Sequence, residues 1–437
     1  MKRNQTHLGR GRALVALVLA AGAGACDGLL DVERPGLITE GQVTGPQLAN
    51  ALVAAAEGEY HVAFNWVGNS GAAATDEAIF SHGWSPWDDF DERDVVAGSP
   101  AHDGIGYGWM QRARVTGVRS ARQLKEIGAP SSALARALAY AGYSTVLLAD
   151  YLCRAPLNGG PALERAVVYD SAIALFQEAA AAAGSDRFLS DLANVGVARS
   201  YLNKNDLSKA IEYAKKVDPG FQAWVRFVDS DNFGDWVEKY NLYHRTSGFI
   251  SPSEFSLALD PAEWAVKRDL RVPFEDDSTR RMFTSVPFAR SGHVPFVPYS
   301  FEGWTPGNRK MIPGGADIRF ASGLEAQYII AEASLYGGAG GWTESQVRAF
   351  VDQRRAVGGH GPYAGSDLKG ELREQRRMDF YFAGYRMPDL IRYKQFYGID
   401  LWPRGRLGGY PASAPYQYGS TECWPIGQSE SSTNPNV

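Results

Sequence analysis

Residues 376–393 read RRMDFYFAGYRMPDLIRY: four arginines and two aspartates set among five aromatic side chains. Gly384 permits the left-handed turn that closes a helix. Arg377 and Asp379 can pair with neighbouring helices. Arg386 and Asp389 are placed to bond locally or to hold the outgoing chain. The segment therefore reads as scaffold rather than as ligand contact. Just upstream, Ser366 or Asp367 can cap a long charged helix, which the pattern carries to Ala383. Further back, Thr343 caps a helix to Val357, and Gly323–Tyr336 is helical before it. Gly337 to Gly341 is the turn that makes these two an α-hairpin.

Working further out, the same pattern recurs in the first half of the chain. Leu134, Leu138, Ala141, Thr145 and Leu148 fall at spacings of three and four within Ala133–Tyr151, the signature of a packed helix face. Tyr169 to Ala183 is helical again and ends at Gly184. Leu192–Leu202 and Leu207–Val217 flank the turn Asn203-Lys204-Asn205-Asp206. Ala198, Tyr201, Ala210 and Ala214 sit there where small and aromatic residues lock antiparallel helices, as in a tetratricopeptide-type hairpin. The expected architecture is mainly α. Helical hairpins at about 133–217 and 323–393 carry long irregular aromatic loops at about 60–110 and 221–315. Phe249–Leu259 and Val286–Val297 can contain short strands, and the tail from Tyr397 is irregular.

The N-terminus reads as an address. Lys2, Arg3, Arg10 and Arg12 precede the apolar run Ala13–Ala25, and Cys26 follows, as in a secretory signal. Ala23-Gly24-Ala25 before Cys26 resembles a bacterial lipobox. Cys26 is then the lipidated first residue of the mature chain; ordinary cleavage leaving a free thiol is the alternative. On this reading residues 1–25 are the signal, 26–46 the lipid anchor and tether, and 47–437 one domain. A lipid chain holds a soluble domain at a membrane surface, each buried methylene contributing about 0.8 kcal/mol. Cys153 and Cys423 remain. In an exported chain an even pair suggests a disulfide; two buried thiols are the alternative.

The 44 basic and 49 acidic residues give a net charge of −5, which argues against nucleic-acid binding. A single long apolar run excludes a polytopic membrane protein. The seven histidines form no HExxH, and neither a phosphate loop, a dinucleotide fingerprint nor a nucleophile elbow occurs. No cofactor or metal is therefore expected. Asp88-Asp89-Phe90-Asp91-Glu92 lacks calcium-loop spacing and reads as a solvated acidic face. The informative excess is aromatic, 11 Trp and 21 Tyr. Trp84, Trp87, Tyr107, Trp109, Trp236 and Trp304 lie in irregular, polar-flanked segments. A flat ring stacks on the apolar face of a sugar, so these six are the candidate ligand platform.

Taken together, four segments resemble the SusD/RagB family of outer-membrane nutrient-binding lipoproteins. They are the lipoprotein-like start with Leu30-Asp31-Val32; ALARALAYAGYSTVLLADYLCRAP at 133–156; GLEAQYIIAEASL at 323–335; and RRMDFYFAGYRMPDLIRY with WPIGQSESSTNPN at 424–436. Arg377, Asp379, Phe380, Gly384, Arg386, Asp389, Leu390, Pro425, Ile426 and Glu430 match the family pattern. Ala383 and Gln375 stand where the family usually has Glu, and Gly427 where it has Pro. These departures bear on substrate more than on fold. The resemblance implies a SusD-like α/α superhelix and a non-enzymatic role. It implies capture of an oligosaccharide or peptide and delivery to a SusC-like TonB-dependent transporter. The place is the outer membrane, lipid-anchored and facing the cell surface. A protein-binding repeat adaptor and a surface glycoside hydrolase are the competing readings.

Overall fold

A computed structural model describes residues 45–80, 85–228, 250–252, 269–276, 293–308, 310, 312–313, 315–405 and 417–437. The chain divides into Met1–Leu48, of which 45–48 are described, and Ala49–Val437, which holds the hairpins and the core. The expected signal, anchor and tether lie outside the described residues, as do Cys26, Trp84 and Trp236.

The fold is mainly helical, as the hairpin pattern predicts. Its first half holds α1 (Gly45–Ala73), a short α2 (Asp88–Asp91), α3 (Gly108–Glu126), α4 (Ser131–Tyr151), α5 (Arg165–Ala183), α6 (Arg187–Asn203) and α7 (Leu207–Ala214). The second half adds α8 (Gly323–Leu335), α9 (Glu344–Val357), α10 (Leu368–Asp379), α11 (Arg386–Tyr397) and α12 (Gln428–Thr433). Successive helices from α3 to α7 pack on their neighbours, and α8 packs on α6 and α7. The tetratricopeptide-like turn is present between α6 and α7. Asn205 takes the left-handed conformation, and the Asp206 carboxylate caps α7 by accepting from Lys209 N at 3.3 Å. Thr343 and Gln346 form a reciprocal capping box at the start of α9, and Asp367 caps α10.

The helices approach closely because small residues meet large ones. The Phe176 ring on α5 lies between Gly142 on α4 and Gly196 on α6; a β-carbon on Gly196 would stand 2.4 Å from its Cζ. One aromatic ring thus fixes the spacing of three helices at near-crystalline density.

Strands come in antiparallel pairs. β1 (Ala78–Phe80) pairs with β5 (Ile250–Pro252), β2 (Arg154–Pro156) with β3 (Ala162–Glu164), β4 (Gln222–Val225) with β8 (Ile318–Ser322), and β6 (Phe274–Asp276) with β7 (His293–Pro295). β5 and β7 fall in the two segments where short strands are expected. Cys153 and Cys423 are joined in a disulfide with Cα atoms 4.9 Å apart. It fastens the C-terminal segment beside the end of α4, where Trp424 N also donates to Tyr151 O at 2.8 Å.

Three expectations differ from the structure. The sequence pattern opens the first loop at about residue 60, but α1 runs on to Ala73 and is buried on all sides from Tyr60. A fully buried helix carries no amphipathic stripe to read. Its polar residues bond to the preceding turn: Asn69 Nδ2 donates to Asn65 O at 2.5 Å and Ser70 Oγ to Trp66 O at 3.0 Å. Ala101–Tyr107 is likewise a π-helical run leading into α3 rather than loop. Second, the charged helix ends at Asp379, not Ala383, and α11 follows after a turn through Phe382 and Gly384, both at positive φ. Third, Asp91 is fully buried, so the 88–92 cluster is not simply a solvated face.

Replacing Gly196 by Ala forces the Phe176 ring aside and is expected to lower stability by about 1–3 kcal/mol. Urea unfolding checks this, and the double variant G196A/F176L should recover much of the loss. A Gly196→Ala protein as stable as wild type would show that the ring does not set the helix spacing.

Candidate functional site

The motif at 376–393 sits at the centre of a buried network of arginine–carboxylate pairs. Asp379 accepts from Arg354 Nε at 2.7 Å and Nη2 at 2.8 Å, from Arg271 Nη1 at 3.0 Å and from the Tyr328 hydroxyl at 2.6 Å. Arg376 grips Asp389 side-on, Arg386 grips Asp76 at 2.6 and 2.7 Å, and Arg392 grips Glu332 at 2.7 and 2.9 Å. Arg199 on α6 does the same to Glu325 on α8, at 2.6 and 2.8 Å. Burial alone would push the Asp379 carboxyl up, but the guanidinium groups of Arg271 and Arg354 outweigh it and hold it below the ordinary range. This network is scaffold, as the charge pattern implies.

Glu77 is the exception. It is 1% exposed and lies beside Asp76, its Oε2 has no hydrogen-bond partner, and its Oε1 accepts only a long 3.4 Å bond from Phe382 N. Burial, reinforced by the Asp76 charge, pushes its carboxyl up to about 8. Arg386 and Arg377 oppose this only in part.

The sequence-derived aromatic candidates separate into two kinds. Trp87 is buried and stacks on Trp66 with ring centroids 5.4 Å apart and planes 5° from parallel. Tyr107 is buried, its hydroxyl accepting from Gln111 Nε2 at 3.1 Å. Both are core residues, not surface platforms. Trp109 is half-buried, with the Arg112 guanidinium 4.5 Å over its ring. Trp304 is half-buried too, and it belongs to a different assembly.

That assembly forms around β8. Alternate residues of a strand face opposite sides. Phe320 faces the core, against the rings of Tyr60 and Tyr143, each 5.0 Å away. Arg319 faces the other way. Its backbone N–H donates to Ser300 O at 2.9 Å, which draws the segment carrying Tyr299 and Trp304 alongside. The guanidinium lies 4.7 Å from the Tyr299 ring centroid, and the Tyr299 and Trp304 rings meet edge-on at 4.7 Å. Trp224, half-buried, is the residue opposite Arg319 on β4 and so shares its face. An arginine, a Tyr and a half-exposed Trp thus meet beside a two-stranded sheet, with the half-exposed Trp224 at the paired position on β4. The Trp304 Nε1 donor there has no partner.

Of this cluster the sequence reading names only Trp304. It misses Tyr299, Arg319 and Trp224, because periodicity assigns the region to irregular loop. One signal is present: a charged residue inside the apolar run Ile318-Arg319-Phe320-Ala321.

No protein-family model matches the sequence, and no curated protein matches it in sequence. Solved structures do match in shape. A SusD-like carbohydrate binding protein from Bacteroides vulgatus ATCC 8482 superposes with a TM-score of 0.61 at 14% identity, over 89% of this chain and 97% of that one. A SusD superfamily protein from Bacteroides fragilis gives 0.63 at 14% identity, over 90% and 99%. Surface glycan-binding protein A from Bacteroides uniformis gives 0.61 at 15% identity, over 90% and 99%. The chain therefore has the SusD fold, as the resemblance in its motifs implies.

Two measurements probe the network. Asp379→Asn leaves Arg354 without its counter-charge and Arg271 with Asp269 alone, and is expected to destabilise by about 3–5 kcal/mol in chemical denaturation; a loss within error of zero would contradict the hub. For Glu77, the folded chain keeps its proton up to about pH 8 while the unfolded chain releases it near the ordinary 4.5. That stabilisation is full below the lower value and is lost as pH rises through the upper one. The melting temperature of Glu77→Gln relative to wild type is thus expected to rise from pH 5 to about pH 8 and level off above it, and parallel profiles would rule the effect out.

Proposed function

We propose that this chain is a SusD/RagB-type capture protein, held at the outer membrane by a lipid on Cys26 and facing the cell surface. There it binds an oligosaccharide and passes it to a SusC-like TonB-dependent transporter. The observation that carries the reading is the match over about nine-tenths of the chain to structures named as SusD-like carbohydrate binding and surface glycan-binding proteins. The lipobox-like start and the motif matches at 376–393 and 424–436 support the same assignment.

The geometry suits binding without covalent chemistry. The carboxylates of Asp76, Glu325, Glu332, Asp379 and Asp389 are each locked to arginines inside the scaffold. Trp224, Tyr299 and Trp304, in contrast, are partly exposed around Arg319. An aromatic platform with a few polar groups is what a sugar site needs.

Tagged chain isolated from gently solubilised outer membranes should bring down a β-barrel receptor in near-equal amount, identified by mass spectrometry. In parallel, Trp304→Ala should weaken glycan retention in affinity electrophoresis by about tenfold, with an unchanged melting temperature. Isolation of the chain alone, from membranes in which it is abundant, would remove the transport role.

A further inference from the structure

The buried arginines of this protein repeatedly present the same edge, the parallel N–H donors of Nε and Nη2, to whatever lies beside them. In Arg199, Arg271, Arg354, Arg376, Arg377, Arg386 and Arg392 that edge carries a carboxylate side-on, from Glu325, Asp269, Asp379, Asp389, Glu374, Asp76 and Glu332 in turn. Arg319 breaks the pattern. It is 4% exposed, and neither its Nε nor its Nη2 has a hydrogen-bond partner. No described carboxylate lies within ion-pair distance of it. Asp317, two residues back and just before the strand, is held by Arg226 and by Phe227 N. Arg93, Arg114 and Arg376 each leave one terminal nitrogen unmatched while other donors are engaged. Arg319 alone among the described residues leaves the whole edge so.

A buried guanidinium without an acceptor is costly. The Tyr299 ring under it offsets part of this through a cation–π contact but supplies no acceptor for the two N–H groups. On Arg319's own side of the chain the adjacent positions are Asp317, already engaged by Arg226 and Phe227 N, and Ala321. The group that matches a planar fork is an oxyanion with two oxygens, above all a carboxylate. The rings around Arg319 are those that the proposed function assigns to sugar stacking.

We propose that the Arg319 edge receives the carboxylate of an acidic sugar, so that the ligand class is a uronate-bearing glycan. The inference rests on the glycan-capture reading and narrows it. The sugar ring lies against Trp304 or Trp224, and its carboxylate enters beside Tyr299. Both nitrogens are closed to solvent, so entry requires the half-exposed Tyr299 or Trp304 ring to rotate aside.

The test uses the full mature chain with polygalacturonate and alginate, each set against its carboxyl-reduced, neutral form. Wild type is expected to bind one acidic polymer and to lose about tenfold to hundredfold in affinity for the reduced form. Arg319→Met should lose the same factor for the acidic polymer. It should also melt at a higher temperature than wild type, because it removes a buried charge that has no partner in the free protein. Arg319→Lys should keep a preference for the acidic polymer over the reduced one. A structural arginine would behave oppositely, its replacement lowering the melting temperature. That result, or unchanged binding by Arg319→Met, overturns the proposal. Binding of the neutral polymers with no preference for acid overturns it while glycan capture stands. Failure to bind any of the four overturns both.

Discussion

A side-on pair between a buried guanidinium and a buried carboxylate is the interaction on which this structure depends. It recurs between segments far apart in the chain: Arg386 reaches back 310 residues to Asp76, and Arg199 reaches forward 126 to Glu325. Such pairs add little net free energy over apolar residues of the same shape, because desolvating two charges offsets most of their attraction. Their consequence is geometric. Each charge must meet its partner at one distance and one angle, so the helices that carry them have one arrangement relative to each other. The turn between Asp379 and Arg386 obeys this constraint. Phe382 accepts a positive φ, which a bulky residue ordinarily avoids, inside a segment pinned by Arg354 on one side and Asp76 on the other.

The network also positions β8, and with it the cluster of Arg319, Tyr299 and Trp304. The carbonyl oxygen of Phe320 accepts from Arg199 Nη2 and from the Tyr385 hydroxyl, each at 2.6 Å. Phe320 itself is clamped between the rings of Tyr60 and Tyr143. β8 is therefore rigid at the residue next to Arg319. For the sugar site proposed above this matters, since affinity falls when side chains must be ordered at the moment of binding.

How much of this is legible without the fold differs from element to element. The α6–α7 and α8–α9 hairpins can be read, because turns such as Asn203-Lys204-Asn205-Asp206 and caps such as Thr343 act within a few residues. The second half of α1 cannot, since a helix buried on every side shows no periodic contrast. The pattern misplaces the end of α10 by one turn: Gly384 is a genuine left-handed residue, but the chain leaves the helix earlier and Phe382 takes positive φ as well. The polar sequence neighbours of Trp87 and Tyr107 suggest the surface, but Trp87 stacks on Trp66 and Tyr107 lies against the His102 ring, both inside.

The sequence by itself determined the helical class, the hairpin turns, the scaffold role of the arginine-rich motif and the kinship in fold that its residues carry. These follow from local rules, in which spacing, capping and turn chemistry act over a handful of positions. Only the tertiary structure decided which charges would meet, which tryptophans would be core, and that Arg319 would lie beside Tyr299 and Trp304 with its donor edge unmatched. Those outcomes depend on contacts between residues far apart in the chain. Which acids come within reach of a given arginine is decided by the folded backbone, and no pattern along the chain encodes it.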